Sequence, residues 1–364
     1  MGAELQATPL LRTIDEYRVA AEAALPAASW AYLSTGSGTE RTMHENLRAF
    51  QRWRLIPRLL VDVSDVSLQA TVLGRTVAMP ILVAPSASHR LFHPEGEKAT
   101  ARAAADAGTV FCVSAASSTT LGDIDAAAPG GSRWIQMMPY RDKGLTRELL
   151  ARAAASGYEA VAFTVDTPVR SRRLTAEAGG HISAEMALLR DVLGDRGDVP
   201  AGTFVDIDSS ATWADFERFA GESPIPVLPK GLLAAADVAQ AASIGLKAVI
   251  ISNHGGRQLD QAPATLDALP GAVAAADGRL EVIVDGGVRT GADVIKALAL
   301  GATAVQVGRP VIYGLSVAGE AGVAGVLGIL RDELANSLAL LGCPTPADVT
   351  REHVATVAEL LDGA

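Results

Sequence analysis

The stretch EVIVDGGVRTGADVIKALALGATAVQVGRP, Glu281–Pro310, contains the same pattern twice. The apolar run EVIV leads into a glycine-rich turn, and the alanine- and leucine-rich segment Gly291–Leu300 then predicts a helix that ends at Gly301. A second apolar run, Ala304–Val307, follows and leads into another turn that contains Gly and Arg. Short continuous apolar runs are typical of strands buried on both faces of a parallel sheet. The stretch therefore predicts successive strand–helix units.

Six similar apolar runs precede this stretch. The eight predicted strands are Pro80–Ala84, Val110–Ser114, Trp134–Met138, Ala160–Val165, Ile225–Leu228, Ala248–Ser252, Glu281–Val284 and Ala304–Val307. Alanine-rich segments that predict helices lie between them: Glu97–Ala107, Leu145–Ser156, Ala235–Ile244 and Gly291–Leu300. Eight units predict an α/β fold of the closed (β/α)₈ barrel type, which takes about 250 residues. An open doubly wound sheet is the alternative, but the first strand is not followed by a GxGxxG turn.

The remaining segments extend this barrel, and we interpret residues 1–364 as a single domain. The barrel is predicted at residues 78–345, after an N-terminal helical extension at residues 1–77 with helices at Thr13–Ala24 and Ala27–Leu33 and a hairpin around Gly74. Residues 166–212 form a long insertion in the loop after the fourth strand. A long insertion at this end of a barrel is a candidate lid, and the alternative is a surface insertion without function.

Composition limits the classes of function. The 364 residues are 49% hydrophobic and 20% charged, which argues against a disordered chain. The net charge of −10 argues against nucleic acid as a partner, because phosphate contacts need a basic surface. The two cysteines, Cys112 and Cys343, form no disulfide or metal motif, so we expect a reduced, cytoplasmic setting and no metal. No signal peptide is visible, and charged residues interrupt the apolar window Gly231–Ser252, so no membrane association is predicted.

Two glycine-rich turns point to a bound phosphate. The seventh strand is followed by Gly286, Gly287 and Arg289, and the eighth by Gly308 and Arg309. The loops after these strands form the usual phosphate site of a barrel, where backbone N–H groups and arginine forks bind the oxygens. The alternative is that these glycines serve only to make tight turns.

The loop after the sixth strand carries His254 and, three residues later, Arg257. The imidazole can accept a proton near neutral pH, and Asp166 after the fourth strand could orient it. Arg257 and Arg173 could bind a carboxylate, and Lys230 would add a fixed positive charge at the same end of the barrel. These residues predict a histidine base and an anionic substrate beside a phosphate-bearing ligand, which could be either the substrate or a cofactor. We interpret the other histidines as structural: His44, His89, His93, His181 and His353.

The segment SNHGGRQLD, Ser252–Asp260, resembles the active-site motif of the FMN-dependent α-hydroxy acid oxidase and dehydrogenase family, which includes glycolate oxidase, lactate oxidase and mandelate-oxidising enzymes. Further matches occur in order between Tyr32 and Cys343. They are LIPRLLVDVSDV (Leu55–Val66), APSA (Ala84–Ala87), HPEGE (His93–Glu97), TVDTP (Thr164–Pro168), DGGVRTGADVIKALALGA (Asp285–Ala302) and VGRP (Val307–Pro310).

The resemblance implies FMN at the phosphate site and oxidation of a small 2-hydroxy acid by an (S)-2-hydroxy acid oxidase-like oxidoreductase. It implies that His254 is the base, Asp166 its partner, Arg173 and Arg257 the carboxylate clamp, and Tyr32 a substrate-binding residue. It also implies a homotetramer. The implied cofactor-binding residues are Pro85, Ser86, Ala87, Ser114, Gln136, Thr164, Lys230, Ser252, Asp285, Gly286, Gly287, Arg289, Gly308 and Arg309.

The chain departs from the family pattern around the expected substrate. Met138 occupies the position of a second active-site tyrosine, and Ala116 that of a bulky aromatic residue. These two residues predict a roomier, more apolar substrate pocket, and hence a substrate bulkier than glycolate or lactate. Tyr140 is a candidate replacement for the missing hydroxyl group. Ser171 replaces a glycine before the clamp arginine and the expected acidic residue is displaced to Glu177, which predicts a different arrangement of the lid.

Several alternatives stay open. Ala87 favours O2 as the electron acceptor, with H2O2 as product, because some dehydrogenases of the family have glycine at this position. A dehydrogenase, or a specialised flavoenzyme acting on an unusual substrate, is the first alternative. A flavin-free isomerase or lyase would be colourless, and a flavin-binding protein without catalysis would bind FMN that no hydroxy acid reduces.

Overall fold

The computed structural model describes residues 11–178, 186–194 and 206–362. The N-terminal extension contains the helices α1 (Ile14–Ala24), α2 (Ala27–Ser34) and α3 (Arg41–Gln51). Thr13 begins α1 because its side chain accepts a hydrogen bond from the Glu16 N–H. The extension continues with the strand β1 (Trp53–Leu55) and the antiparallel hairpin of β2 (Ala70–Val72) and β3 (Arg75–Val77). The predicted helices and hairpin are therefore present.

Eight parallel strands close into one barrel, which confirms the predicted (β/α)₈ fold. The strands are β4 (Ile81–Val83), β5 (Phe111–Ser114), β6 (Arg133–Met137), β7 (Ala160–Thr164), β8 (Val227–Leu232), β9 (Ala248–Ile251), β10 (Glu281–Asp285) and β11 (Ala304–Val307). The last strand pairs with the first, with Val305 opposite Ile81, so the sheet has no free edge.

The fifth barrel strand extends further than predicted. We expected it to end at Leu228, but β8 continues to Leu232, so Lys230 lies inside the strand and not after it. The register shifts between Lys230 and Leu232, and Gly231 has φ +116°. A Cβ at Gly231 would lie 2.6 Å from the Cβ of Asp166, so glycine is required for the strand to pass this side chain.

The interior of the barrel is layered because alternate residues of each strand point inward. One layer is apolar and includes Leu82, Cys112, Trp134, Ala162, Leu228, Ile250, Ile283 and Ala304. Val72 and Val77 of the hairpin belong to the same cluster, so the hairpin covers the amino end of the barrel. Two residues further along the strands lies a layer that we name the polar ring. It consists of Ser114, Gln136, Thr164, Lys230, Ser252, Asp285 and Gln306, all buried.

Helices surround the barrel. They are α4 (Glu97–Asp106), α5 (Leu121–Ala127), α6 (Lys143–Ala155), α7 (Leu174–Ala178), α8 (Ala187–Leu193), α9 (Trp213–Glu222), α10 (Ala235–Ser243), α11 (Thr265–Ala276), α12 (Gly291–Ala299), α13 (Arg309–Leu341) and α14 (Val357–Asp362). Within the described ranges, three short 3₁₀ turns occur at His89–Leu91, Pro346–Asp348 and Arg351–His353. A final strand, β12 (Val354–Thr356), pairs antiparallel with β1.

Helix α13 is long and apolar enough to cross a bilayer by length and composition alone. It is interrupted at Ala318 and Gly319, which have non-helical backbone angles, and half of its apolar window is buried in the protein. These features are those of two core helices joined at a kink. The window Gly231–Ser252 contains the end of β8, α10 and β9.

The insertion after β7 is described only in part, since residues 179–185, which include His181, and residues 195–205 lie outside the described residues. Helix α8, inside the insertion, buries Leu188, Leu189 and Val192. Arg152 of α6 pairs with Asp191 at 3.2 Å. This part of the insertion is therefore packed on the barrel, and the lid remains a prediction.

Candidate active site

Neighbouring side chains of the polar ring bond to one another across the strands. Ser114 donates to Gln136 Oε1 at 3.0 Å, and Gln136 Nε2 donates to Thr164 Oγ1 at 2.9 Å. Both bonds are buried, which fixes the orientation of the Gln136 amide. Three predicted cofactor residues are thus connected in one chain of hydrogen bonds.

The other side of the ring is charged. Lys230 Nζ lies 2.6 Å from Asp285 Oδ2 and donates to Ser252 Oγ at 2.7 Å. Burial opposes the charge of Lys230, but the carboxylates of Asp285 and Asp166 outweigh it and raise the pKa of the ammonium group. Lys230 is therefore a fixed cation at the carboxyl end of the barrel.

His254 and Asp166 form a pair at the mouth. His254 Nδ1 lies 3.2 Å from Asp166 Oδ1. Burial of Asp166 favours its neutral form, but its interactions with His254 and the charge of Lys230 outweigh burial and lower the pKa of the carboxyl. Because an ionised carboxylate only accepts hydrogen bonds, Nδ1 carries the proton and donates, which leaves Nε2 free to accept a proton.

The backbone of this loop is strained at the predicted base. His254 has φ +58°, a left-handed conformation that is uncommon for residues other than glycine. Its N–H donates to Ser252 Oγ at 3.0 Å, so the hydroxyl group that contacts Lys230 also holds the histidine backbone. Strain maintained by such contacts is frequent at functional sites.

Two arginines lie against one tyrosine ring. The guanidinium carbons of Arg257 and Arg173 lie 4.8 Å and 5.3 Å from the Tyr32 ring centroid. Burial and the nearby charge of Arg173 lower the pKa of Arg257, because two like charges held close together are unfavourable. An anion between them would remove this penalty, as a substrate carboxylate would do.

The N-terminal extension forms one wall of the mouth. Asn46 of α3 and Asn253 exchange two hydrogen bonds of 2.8 Å in the interior. Asp260 accepts hydrogen bonds from the Thr39 and Thr42 N–H groups and so holds the start of α3. The final residue of the SNHGGRQLD segment therefore attaches the extension to the loop of His254.

The predicted phosphate turns lie together, but two of their features differ from expectation. Arg309 donates to the carbonyl oxygens of Leu33 and Thr35 and, at 2.8 Å, of Gly255. It thus connects the end of α2 to the loop of His254. A Cβ at Gly287 would lie 2.2 Å from the Asn46 carbonyl oxygen, so packing against α3 already requires this glycine.

The other predicted residues line the same mouth. Pro85, Ser86 and Ala87 follow β4 and are partly exposed, as is Met138 after β6. The Ala116 carbonyl accepts a hydrogen bond from the Ser88 N–H at 3.0 Å, which connects the loops after β4 and β5. Tyr140 is buried, which raises the pKa of its phenol.

A family model described as FMN-dependent dehydrogenase matches residues 21–356. The chain belongs to this family. Glycolate oxidase 3 of Oryza sativa subsp. indica is 42% identical over 95% of the chain and 97% of the relative. A peroxisomal (S)-2-hydroxyacid oxidase of Arabidopsis thaliana is 40% identical over 96% of the chain and 97% of the relative. The protein is thus an FMN-dependent oxidoreductase of the 2-hydroxy acid oxidase type.

Solved structures of the family have the same fold. A mandelate oxidase with benzoyl-formic acid has a TM-score of 0.87 at 39% identity and covers 95% of this chain and 99% of that one. A mandelate oxidase variant with (S)-mandelic acid has a TM-score of 0.87 at 40% identity, with 95% and 98% covered.

The described residues suit FMN. The cofactor combines an aromatic ring with a hydroxyl-bearing ribityl chain and a phosphate, and the mouth offers hydrogen-bonding side chains, the buried Lys230 and Arg289 for them. Asp285 Oδ1 is buried without a hydrogen-bond partner among the described residues, so it is free to accept a hydroxyl group. Lys230 and Gln136 would contact the ring and Arg289 the phosphate, whereas the Arg309 guanidinium donates to backbone carbonyl groups.

Proposed function

We propose that this family member oxidises a 2-hydroxy acid bulkier than glycolate or lactate to the 2-oxo acid, with O2 as acceptor and H2O2 as product. The observation that carries the proposal is the His254–Asp166 pair at 3.2 Å beside two arginines that share the Tyr32 ring. It combines a proton acceptor with a carboxylate site at one barrel mouth.

The proposed chemistry assigns one task to each group. Arg257 and Arg173 bind the substrate carboxylate and present the carbon that bears the hydroxyl group to His254. His254 Nε2 accepts a proton from the hydroxyl group of the substrate or from the carbon that bears it. Asp166 stabilises the resulting imidazolium through Nδ1. Bound FMN supplies the two-electron acceptor for this oxidation. Lys230 keeps a positive charge near the cofactor.

The size of the substrate is proposed from two small or flexible side chains. Ala116 leaves space beside the loop after β5, and Met138 offers an adaptable apolar surface in place of a hydroxyl group. Mandelate oxidases, whose substrate carries a phenyl group, are among the structural neighbours, which supports a pocket for a bulky side chain.

The test is anaerobic reduction of the purified yellow protein by single 2-hydroxy acids, followed by addition of air. We expect an aromatic or branched acid to bleach the flavin faster than glycolate or lactate, and air to restore the colour with formation of H2O2. Slow reoxidation by air but fast reoxidation by a dye would instead indicate a dehydrogenase. Flavin that no acid bleaches would contradict the proposed reaction.

Tetramer formation and a cytoplasmic location are proposed from the family resemblance and the composition. Light scattering of the purified holoenzyme measures the first, and fractionation of source cells measures the second. A monomer, or recovery from an organelle, would overturn them.

A further inference from the structure

Gln306 is the member of the polar ring that the motifs did not reveal. It lies on β11, within an otherwise apolar strand, and is 1% exposed. Both its amide nitrogen and its amide oxygen lack a hydrogen-bond partner among the described residues. Since a buried polar atom without a partner is costly, an amide in this place calls for another polar group.

A second unpartnered atom lies beside it. Asp285 and Gln306 are opposite each other in the parallel pairing of β10 and β11. Asp285 Oδ2 contacts Lys230, whereas Asp285 Oδ1 is buried and free among the described residues. The ring is joined by hydrogen bonds or ion pairs from Ser114 to Thr164 and among Lys230, Ser252 and Asp285, and the unpartnered atoms of Asp285 and Gln306 leave it open between β10 and β11.

This opening lies between the parts of the site that receive the two ends of FMN. Gly286 and Gly308 begin the turns directly after β10 and β11, and Lys230 of β8 contacts Asp285 at the end of β10. The chain of the cofactor that joins its phosphate to its ring carries hydroxyl groups. A hydroxyl group donates one hydrogen bond and accepts others, which matches a carboxylate oxygen beside an amide.

We propose that Gln306 is a further cofactor-binding residue of this chain, whose amide extends the ribityl site expected at Asp285 to the neighbouring strand β11. Asp285 Oδ1 accepts a hydrogen bond from a hydroxyl group, and the Gln306 amide donates to and accepts from the same chain. The inference rests on the FMN dependence of the family and not on the proposed substrate.

The test measures FMN binding and needs no turnover. The flavin is removed from full-length wild type and from Gln306→Met, which keeps the length of the side chain without its amide. Both proteins are titrated with FMN and with a flavin phosphate whose pentyl chain lacks hydroxyl groups. We expect Gln306→Met to weaken FMN binding about tenfold, since one neutral hydrogen bond is worth up to about 1.5 kcal/mol, and to leave binding of the analogue unchanged.

Two further variants keep the result interpretable. Gln306→Leu serves if the methionine variant does not fold, and Cys112→Ala changes the buried apolar layer of the same barrel without removing an amide. Cys112→Ala is expected to bind both flavins like the wild type. Equal loss of both flavins in Gln306→Met, or no loss of FMN, would overturn the proposal and indicate an amide that serves packing or internal water.

Discussion

Ser171 Oγ donates a 2.6 Å hydrogen bond to the carbonyl oxygen of Arg257. The loop after β7, which carries Arg173, is thereby attached to the loop after β9, which carries His254. The serine stands where the family pattern has glycine, so this connection is a feature of this chain. It fixes the two arginines relative to one another.

Replacing Ser171 with glycine removes this bond and also loosens the backbone. We expect KM for the preferred acid to rise about 3- to 10-fold with little change in kcat, because a neutral hydrogen bond contributes about 0.5–1.5 kcal/mol. Steady-state kinetics measures the effect, and Ser171→Thr, which keeps the hydroxyl group, is the control. Equal KM values in all three proteins would show that the bond has no role in substrate binding.

His254→Asn removes the proposed proton acceptor while keeping a polar side chain. We expect the rate of flavin reduction to fall about 10²- to 10⁴-fold, as for loss of a general base. Stopped-flow absorbance measures the rate, and the flavin spectrum shows whether FMN stays bound. His44→Asn on the exposed face of α3 is the control. A reduction rate like that of the wild type would assign the base elsewhere.

Arg257→Lys keeps the positive charge but loses the planar fork that matches a carboxylate. Hydrogen bonds to charged groups are worth about 1.5–3 kcal/mol, so we expect the dissociation constant of the substrate to rise about 10- to 100-fold. Binding of the 2-oxo acid product to the oxidised enzyme, followed by the flavin spectrum, measures it directly. Arg172→Lys, on an exposed neighbour, should change nothing.

Met138→Tyr restores the hydroxyl group of the family pattern and fills space at the mouth. We expect kcat/KM for glycolate or lactate to rise relative to that for an aromatic acid. Met138→Leu, which changes shape without adding a hydroxyl group, is the matched variant and should keep the wild-type preference. The two ratios are compared by peroxide production, and an unchanged ratio in the tyrosine variant would mean that residue 138 does not limit the pocket.

Glu97 contributes to stability in a pH-dependent manner. It is buried and accepts hydrogen bonds from the His89 and Ser118 N–H groups and from the Ser118 and Thr119 hydroxyl groups. Burial opposes its charge, but His89 and these bonds outweigh burial and hold the pKa of Glu97 below its usual value. A carboxyl group whose pKa is lowered in the folded state stabilises the fold at neutral pH. This contribution is lost as the pH falls through the lowered pKa.

We therefore expect Glu97→Gln to lower the free energy of unfolding at pH 7 by about 1–3 kcal/mol, because an amide group then faces hydrogen-bond donors. The difference from wild type should shrink as the pH falls below the usual pKa of glutamate, about 4.3, and through the lowered pKa of Glu97. Urea unfolding at several pH values measures both effects. Glu95→Gln, in an exposed pair with Arg102, should stay within about 0.5 kcal/mol of wild type. A constant difference across pH would contradict the ionised state of Glu97.

The sequence predicted the barrel because each strand is buried on both faces and therefore appears as an apolar run. It did not predict α3, whose residues RTMHENLRAFQ are mostly polar, since α3 is fixed by contacts such as Asn46–Asn253 that join distant segments. The predicted fifth strand ended too early, at Leu228, because a lysine between proline and glycine resembles a turn. In the folded chain the bulge at Gly231 and the bond to Asp285 keep Lys230 inside β8.

The residues that the motifs predicted for the site lie together at one barrel mouth, because the carboxyl ends of parallel strands meet there. The motifs did not reveal Gln306, because one amide among valines forms no motif. Only the alternation of side chains along β11 turns it inward. The contacts of Arg309 with Leu33 and Thr35 were likewise beyond the sequence, since they depend on where α2 ends.

The pairing of β1 with β12 also bears on how the protein is made. Trp53 leaves the ribosome long before Thr356, its partner in this sheet, exists. The segments that form one wall of the mouth, from Tyr32 to Asn46, likewise cannot make their contacts until the loop of His254 has been synthesised. Contacts between such distant residues are slow to form, because the loop-closure entropy precedes any gain. The mouth of the barrel therefore cannot be complete until the loop of His254 has been synthesised.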